Sequence, residues 1–407
     1  MYYQRTLETF LLKATQQFPI LLVAGPRQVG KTTFLKHLSE GKYTYVTLDD
    51  PLLASLAKED PKLFLERFKP PLFIDEIQYA PELFPYIKMI VDENRQPGQF
   101  WMTGSQQFLL MKGVSESLAG RIGILNLLGL SLWEAQDKAR LGTPFLPDQK
   151  ILEERMAGGN KFSLKEVYFN IWRGSYPAIA LNPDIDHTLF YSSYVQTYLQ
   201  RDVRDLAHVG DQNSFFRFLR ATAARTGQLL NITELARDAD ISPSTAKSWL
   251  SILEASHLLY FLHPYFDNIN KRMIKSPKLY FLDTGLCCYL TEWSSPETLE
   301  AGAMAGSIFE TYIVAEVLKS YWHNGKQAPL YYYRDKDKKE INLLVYQDKM
   351  LYPVEIKKTG SPNRGATRHF QLIDKLNIKR GEGGIVCFTD KLIPLSKDDT
   401  AIPAYLV

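Results

Sequence analysis

The sequence predicts an α/β protein in three parts: a parallel sheet flanked by helices over 1–142, a helical stretch over 143–300, and a second α/β part over 301–407. Three observations point there. Short apolar runs recur before residue 130 with helical stretches between them. The strand signal then fades between 163 and 270. It returns after 300, which reads as a separate sheet.

Residues 19–24 form a continuous apolar run, as a central parallel strand buried on both faces requires. A Gly-rich turn and a helix to about residue 38 follow. The β-branched and aromatic run 43–48, the run 71–75 and the run 99–103 read as further strands, and 121–128 as a fifth. Helical connections between them imply right-handed crossovers in a parallel sheet. The stretch 142–148 reads as a linker or lid. Beyond it, a helix is expected near 306–322, strands near 329–333, 340–346 and 351–356, a helix near 367–376 and a strand at 384–388.

Bulk composition is that of an ordinary globular chain, with 45% hydrophobic and 23% charged residues among 407. A net charge of +3 does not argue for nucleic acid by itself, so any such partner needs a local basic patch. Cys287, Cys288 and Cys387 have neither C-x-x-C spacing nor a histidine cluster, which speaks against a disulfide framework or a zinc site. The first ten residues lack an apolar leader, and no apolar run approaches the ~20 residues of a membrane span. A cytoplasmic protein with no membrane partner is the expectation.

The chemistry is concentrated at Gly25-Pro26-Arg27-Gln28-Val29-Gly30-Lys31-Thr32-Thr33. This is the P-loop pattern G-x-x-x-x-G-K-[ST], set after a predicted strand and before a predicted helix, the context that supports it. The glycines let backbone N–H groups turn toward phosphate oxygens, and the helix N-terminus favours the anion. Lys31 reaches the β- and γ-phosphates and Thr32 offers its hydroxyl to Mg2+. The run Leu72-Phe73-Ile74-Asp75-Glu76 sets two acids at the same sheet edge. Asp75 is expected in the Mg2+ shell, and Glu76 is expected to orient or deprotonate water. Met102-Thr103-Gly104-Ser105-Gln106 ends another strand. Its polar groups can sense the γ-phosphate, with Ser105 the candidate, although Thr, Gly and Ser also suit an ordinary turn. In Leu118-Ala119-Gly120-Arg121, the arginine is a candidate for neutralising transition-state charge in its own subunit or a neighbour's; a structural ion pair is the alternative. The guanine-reading Asn-Lys-x-Asp string is absent from the sequence.

Taken together, these motifs resemble a prokaryotic family of AAA-type P-loop ATPases. Its members carry a C-terminal domain of unknown function similar to the PD-(D/E)xK restriction-endonuclease fold. Tyr198, Arg201, Asp202, the run around Asp283 and Gly285, and Phe309-Glu310 fit the same family, so the resemblance spans nearly the whole chain. It implies an AAA-like fold, ATP with Mg2+ as cofactors, and a winged-helix-like middle.

Residues 231–242 read as a helix and turn. Ser242 then caps a second helix with Pro243 at its first position and Ala246, Trp249, Leu250 and Leu253 on its apolar face. Residues 258–262 read as a wing strand. Ser244, Thr245, Lys247 and Ser248 form the outer face, and the basic run Asn270, Lys271, Arg272, Lys275, Lys278 lies nearby. DNA contact and a packing or protein-contact role both fit this pattern.

In the last part, Glu340 and Asn342 share one strand face, and Glu355 and Lys357 share a face of the next strand. An acid followed by E-x-K resembles the metal core of restriction-type nucleases, with Glu310 completing the acidic group. Asn342 stands where that pattern has Asp, and a neutral amide is a poorer partner for a hard cation. The expectation is therefore a nuclease-like fold with weak or lost cleavage. The leading functional expectation is a Mg2+-dependent ATPase whose nucleotide state controls the helical and nuclease-like modules, with homo-oligomerisation and DNA as candidate partners. The alternatives are an ATP-dependent DNA-processing nuclease and a slow-turnover ATP switch that mediates protein–protein interaction.

Overall fold

A computed structural model describes residues 2–105, 117–199, 212–266, 276–376 and 378–407. Gln106, Arg201, Asp202 and the basic positions 270–275 lie outside the described residues. The chain divides into two compact units. The first comprises 1–130 together with 255–257 and 322–326; the second comprises 131–254, 258–321 and 327–407.

The first unit is an α/β layer structure. Its strands are β1 (Ile20–Ala24), β2 (Thr44–Thr47), β3 (Leu72–Asp75), β4 (Phe100–Gly104) and β5 (Ile122–Asn126). They form a sheet in the order β2-β3-β4-β1-β5, with every pairing parallel. The helices are α1 (Leu7–Thr15), α2 (Lys31–Ser39), α3 (Pro51–Glu59), α4 (Pro61–Arg67) and α5 (Leu83–Glu93). Strand alternation splits the core cleanly. Ile20, Leu22, Leu72, Ile74, Phe100 and Met102 pack on one face with Phe64, Phe84 and Ile87 of α4 and α5. Leu21, Val23, Phe73 and Trp101 pack on the other with Leu7 and Leu11 of α1 and Phe34 and Leu35 of α2. Both faces are covered over the central strands β1, β3 and β4, which is why those read as largely apolar runs, while the edge strands β2 and β5 are partly exposed.

After a short capped helix at Leu132–Ala135, the second unit runs through α6 (Gln149–Gly158), α7 (Leu164–Arg173) and α8 (His187–Tyr194). It continues through α9 (Gln212–Ala223), α10 (Ile232–Ala239) and α11 (Pro243–Ala255). Ser242 caps α11 as expected, its Oγ accepting from Thr245 N at 3.1 Å. Trp249 of α11 meets Phe215 and Phe218 of α9 edge-on, with centroids 5.2 Å apart in each case. A small antiparallel sheet, β6 (Gln228–Leu229), β8 (Lys278–Phe281) and β7 (Leu259–Leu262), accompanies these helices. Next comes α12 (Thr284–Leu290), capped by Asp283, whose carboxylate also accepts from Tyr191 Oη at 2.8 Å and Ser175 N at 2.7 Å. The family-like residues Asp283 and Gly285 thus sit in a packed helix cap. A Cβ at Gly285 would stand 2.2 Å from Tyr191 Oη.

The buried helix α13 (Ala305–Trp322) leads into a mixed sheet. Its strands are β9 (Leu330–Arg334), β10 (Glu340–Gln347), β11 (Met350–Ile356), β12 (Lys379–Arg380), β13 (Gly383–Cys387), β14 (Ile393–Pro394) and β15 (Asp399–Pro403). The order is β14-β15-β13-β11-β10-β9, with β12 paired to β11. The α/β class expected from the sequence is the class observed; β9, β10, β11 and β13 fall within a residue or two of their expected bounds, while β12, β14 and β15 were not expected.

Candidate functional site

The site is built on the C-terminal edge of the five-stranded sheet. β1 is fully buried and stops at Ala24, where Gly25 begins the loop. A Cβ on Gly25 would lie 2.0 Å from Leu127 O, so only glycine lets the loop pass the backbone beyond β5. Gly30 takes φ 88°, ψ 23°, a left-handed conformation suited to glycine, and caps α2. Loop residues Pro26, Arg27, Gln28 and Val29 lead into α2, where Thr33 sits in the first turn, whose N–H groups have no acceptor within the helix.

Lys31 is buried and donates to Gly25 O at 2.9 Å and Pro26 O at 2.7 Å. Its ammonium is thus folded over the loop, where a phosphate oxygen would compete for it. Thr32 Oγ1 donates to Asp75 Oδ1 at 2.8 Å. Asp75 ends β3 and is buried. Its carboxylate also accepts from Thr103 Oγ1 and, at 3.2 Å, from Tyr45 Oη.

β4 lies between β1 and β3, and this placement explains the role of the 103–105 turn. Thr103 Oγ1 donates to Asp75 and accepts from Glu76 N at 3.0 Å. Ser105 Oγ donates to Glu76 Oε2 at 3.1 Å, and Gln78 donates to the same oxygen. Glu76 itself adopts φ 55°, which turns its side chain away from the line of the strand. Ser105 therefore touches Glu76 and restrains it.

Arg121 behaves otherwise. It precedes β5, whose Ile122 pairs with Ile20 at the start of β1, so it lies at the sheet edge opposite the phosphate loop. Its Nε and Nη2 grip Asp92 of α5 at 2.6 and 2.9 Å, and Nη1 donates to Ala119 O. The expectation that Arg121 serves the phosphate site of its own chain fails on this register. The structural ion pair is what forms, and it holds the Asp92 carboxyl below its usual range.

One residue went unread in the sequence. Arg5, almost fully buried, donates to Val29 O at 2.9 Å, Leu128 O at 2.7 Å and Gly129 O at 3.2 Å. It ties the middle of the phosphate loop to the segment after β5. His323 completes that tie, its Nε2 accepting from Leu128 N at 3.2 Å. No local motif marks Arg5, because its acceptors lie 24 and 123 or more positions away.

In the second unit the nuclease-like residues do gather, but around a lysine. Lys278 Nζ lies 2.9 Å from Glu310 Oε1 and also contacts Glu340. Tyr280 Oη donates to the same Glu310 oxygen at 2.6 Å. Asn342 Nδ2 donates to Glu310 Oε2 at 3.1 Å, and its Oδ1 accepts from Ile356 N at 3.0 Å. Glu355 pairs with Lys357 at 2.7 Å; burial pushes its carboxyl up despite that partner, and its Oε2 is buried without a hydrogen bond. Lys278, expected in an exposed basic run, is buried. Among the described residues no three carboxylate, histidine or cysteine groups converge as a metal set.

The phosphate loop, the two acids and the parallel sheet define a P-loop protein of the AAA ATPase type, a fold that implies nucleotide binding. The chain belongs to the family that joins such a domain to a C-terminal domain of unknown function, sharing it with relatives in Mycobacterium bovis and Mycobacterium tuberculosis. Family models match at 17–136 (AAA domain), 164–297 (Domain of unknown function, DUF8612) and 305–407 (Domain of unknown function, DUF4143). Each mycobacterial relative is described as an uncharacterized protein and is 30% identical over 396 residues, covering 97% of this chain and 82% of the relative. Similar solved structures include a Walker-type ATPase of Pyrococcus abyssi, with TM-score 0.39 and 15% identity over 71% of this chain and 96% of that one. RuvB of Thermotoga maritima is also similar, with TM-score 0.30 and 18% identity over 62% and 86%. Among the described residues no helix is long and apolar enough to cross a membrane.

Proposed function

We propose that the chain is a Mg2+-dependent ATPase whose nucleotide state governs the helical and nuclease-like parts of the second unit. The observation that carries this reading is the contact of Thr32 with Asp75 at 2.8 Å beside the folded-over ammonium of Lys31. These two oxygens are the hard donors a magnesium ion takes, so the residues present fit that ion. Bound there, the metal would neutralise charge on the β- and γ-phosphates. The protein's own part is to grip phosphate through loop amides and Lys31 and to aim water with Glu76, held by Ser105 and Gln78.

The test is binding and turnover of ATP by Lys31→Ala and Glu76→Gln. The first is expected to lose nucleotide binding, and the second to bind ATP but turn it over at least ~100-fold more slowly. Normal hydrolysis by Glu76→Gln would remove the role given to that carboxylate.

The role left to Arg121 is in trans, in an oligomer. Turnover per chain should then rise with protein concentration and fall in Arg121→Ala; a flat concentration dependence removes it. For the second unit, the reading is a nuclease-like fold reused for binding. The buried Lys278 ammonium supplies the positive charge that the Glu310 and Glu340 pair requires. No metal-dependent cleavage of duplex DNA, single-stranded DNA or RNA is expected, and cleavage lost in Glu355→Ala would overturn this. DNA contact through the exposed Ser244, Lys247 and Ser248 of α11 is a second reading. It requires an affinity that falls steeply with salt.

A further inference from the structure

The first unit takes in two short segments from far along the chain, and one of them carries a histidine with no local use. His257 lies in 255–257 and is only 7% exposed. Its backbone takes φ 53°, a left-handed conformation uncommon for a residue with a side chain. Its ring stands edge-on to Trp322, with centroids 5.2 Å apart. Its Nδ1 is buried with no hydrogen-bond partner. A strained backbone and an unpartnered buried nitrogen are both costly, and costs of this kind gather at binding sites.

Geometry identifies the neighbour: Trp322 is followed by His323, whose Nε2 accepts from Leu128 N at 3.2 Å, and the adjoining Leu127 carbonyl lies against Gly25 of the phosphate loop. Burial first, and then the positive charge of Lys31, push the imidazole pKa down to about 4, so the ring is neutral beside the ammonium of the phosphate loop. A neutral imidazole keeps one N–H to donate. A cation and an unused ring nitrogen near one another call for an anion with several acceptor oxygens.

We propose that His257 is a phosphate-binding residue of the nucleotide site, donating a ring N–H to a phosphate oxygen of the triphosphate that Lys31 holds. This rests on the nucleotide-binding reading above. It gives the unpartnered nitrogen an acceptor and gives the left-handed backbone at 257 a purpose. It also adds to the site a residue more than 200 positions beyond the loop, between α11 and β7 in the chain.

The test is calorimetric titration of the full chain with Mg-ATP, comparing His257→Phe and His257→Gln with the unaltered protein. Phenylalanine keeps a ring against Trp322 and loses the donor; glutamine keeps a donor and loses the ring. A hydrogen bond to a charged oxygen corresponds to about a 10- to 100-fold change in affinity. His257→Phe should weaken ATP binding by that factor, with His257→Gln recovering most of it. The opposite pattern, Phe binding like the unaltered chain and Gln failing, means that the ring only packs and overturns the proposal. Should His257→Phe not fold, His257→Leu takes its place with the same expected loss, and a leucine variant that binds ATP like the unaltered chain overturns the proposal. Lys31→Ala separates the two levels. If the unaltered chain binds ATP and Lys31→Ala does not, the nucleotide reading stands whatever His257 does. If the unaltered chain binds no nucleotide, both fall.

Discussion

Replacing Lys278 with alanine should unfold the second unit well before anything else in the chain. The lysine side chain is 5% exposed, and its ammonium lies 2.9 Å from Glu310 Oε1 and also contacts Glu340. At an effective dielectric of ~20, one such pair attracts by about 6 kcal/mol, and the lysine's own desolvation offsets much of that. Breaking a buried pair by removing one partner costs about 3–5 kcal/mol, because the remaining charge is left uncompensated. Here two carboxylates are left facing one another. Burial alone would lower the lysine pKa, but Glu310 and Glu340 more than reverse this and raise it. A raised lysine contributes its full stability below the ordinary value of 10.5 and loses it only as pH climbs past the folded value, so a measurement at pH 7.5 sees the whole effect. At about 2–4 °C per kcal/mol, the transition should fall by roughly 6–20 °C. The assay is differential scanning calorimetry of the full chain at pH 7.5 without nucleotide, comparing Lys278→Ala with the unaltered protein. A control removes all three charges at once, as Lys278→Met with Glu310→Gln and Glu340→Gln, and should recover most of the loss. A drop of less than about 2 °C for Lys278→Ala would refute the reasoning.

Three further outcomes follow from the first unit and its neighbours. Gly25→Ala should destabilise the first unit by about 1–3 kcal/mol and abolish ATP binding, because its Cβ would stand 2.0 Å from Leu127 O; a folded variant that binds ATP normally counts against the close approach. Arg5→Met should cost at least about 3 kcal/mol and weaken ATP binding without touching phosphate, since Val29, Leu128 and Gly129 lose the same donor; equilibrium urea unfolding and a nucleotide titration measure both effects. Acid should destabilise both units. His187 and His257 are held near pKa 4, chiefly by burial, so the unfolded chain takes up protons below about 6.5 that the folded chain refuses. Stability from each is complete above pH 6.5 and drains away toward pH 4, by about 3 kcal/mol apiece. Urea midpoints measured from pH 7 to 4.5 should fall monotonically, and less steeply in His187→Phe.

Some of this was legible in the residues and some was not, for physical reasons. β1, β3 and β4 announce themselves because a strand covered on both faces must be apolar throughout. The phosphate loop does so because its glycines answer local steric demands. Strand alternation sets Glu340 and Asn342 on one face and Glu355 and Lys357 on another, whereas Glu310, on a helix, is joined to them only by the resemblance. Arg121 was misplaced because a strand's ends look alike in sequence, and only the pairing of Ile122 with Ile20 reveals which edge it occupies. Lys278 resembled a solvated charge because a basic run does not disclose that its last member begins a buried strand. Arg5 and His257 gave no signal, because what they meet lies far away in the chain.

The membership of residues 255–257 and 322–326 in the first unit bears on how this protein is born. On a ribosome, the stretch up to residue 130 emerges early with all five strands of its sheet, yet it lacks the Leu128 partner His323 until roughly another two hundred residues have been made. A fragment cut after residue 130 would therefore be an unfinished object, prone to sticking rather than working. Recombinant work on the first unit should therefore carry the chain through residue 326.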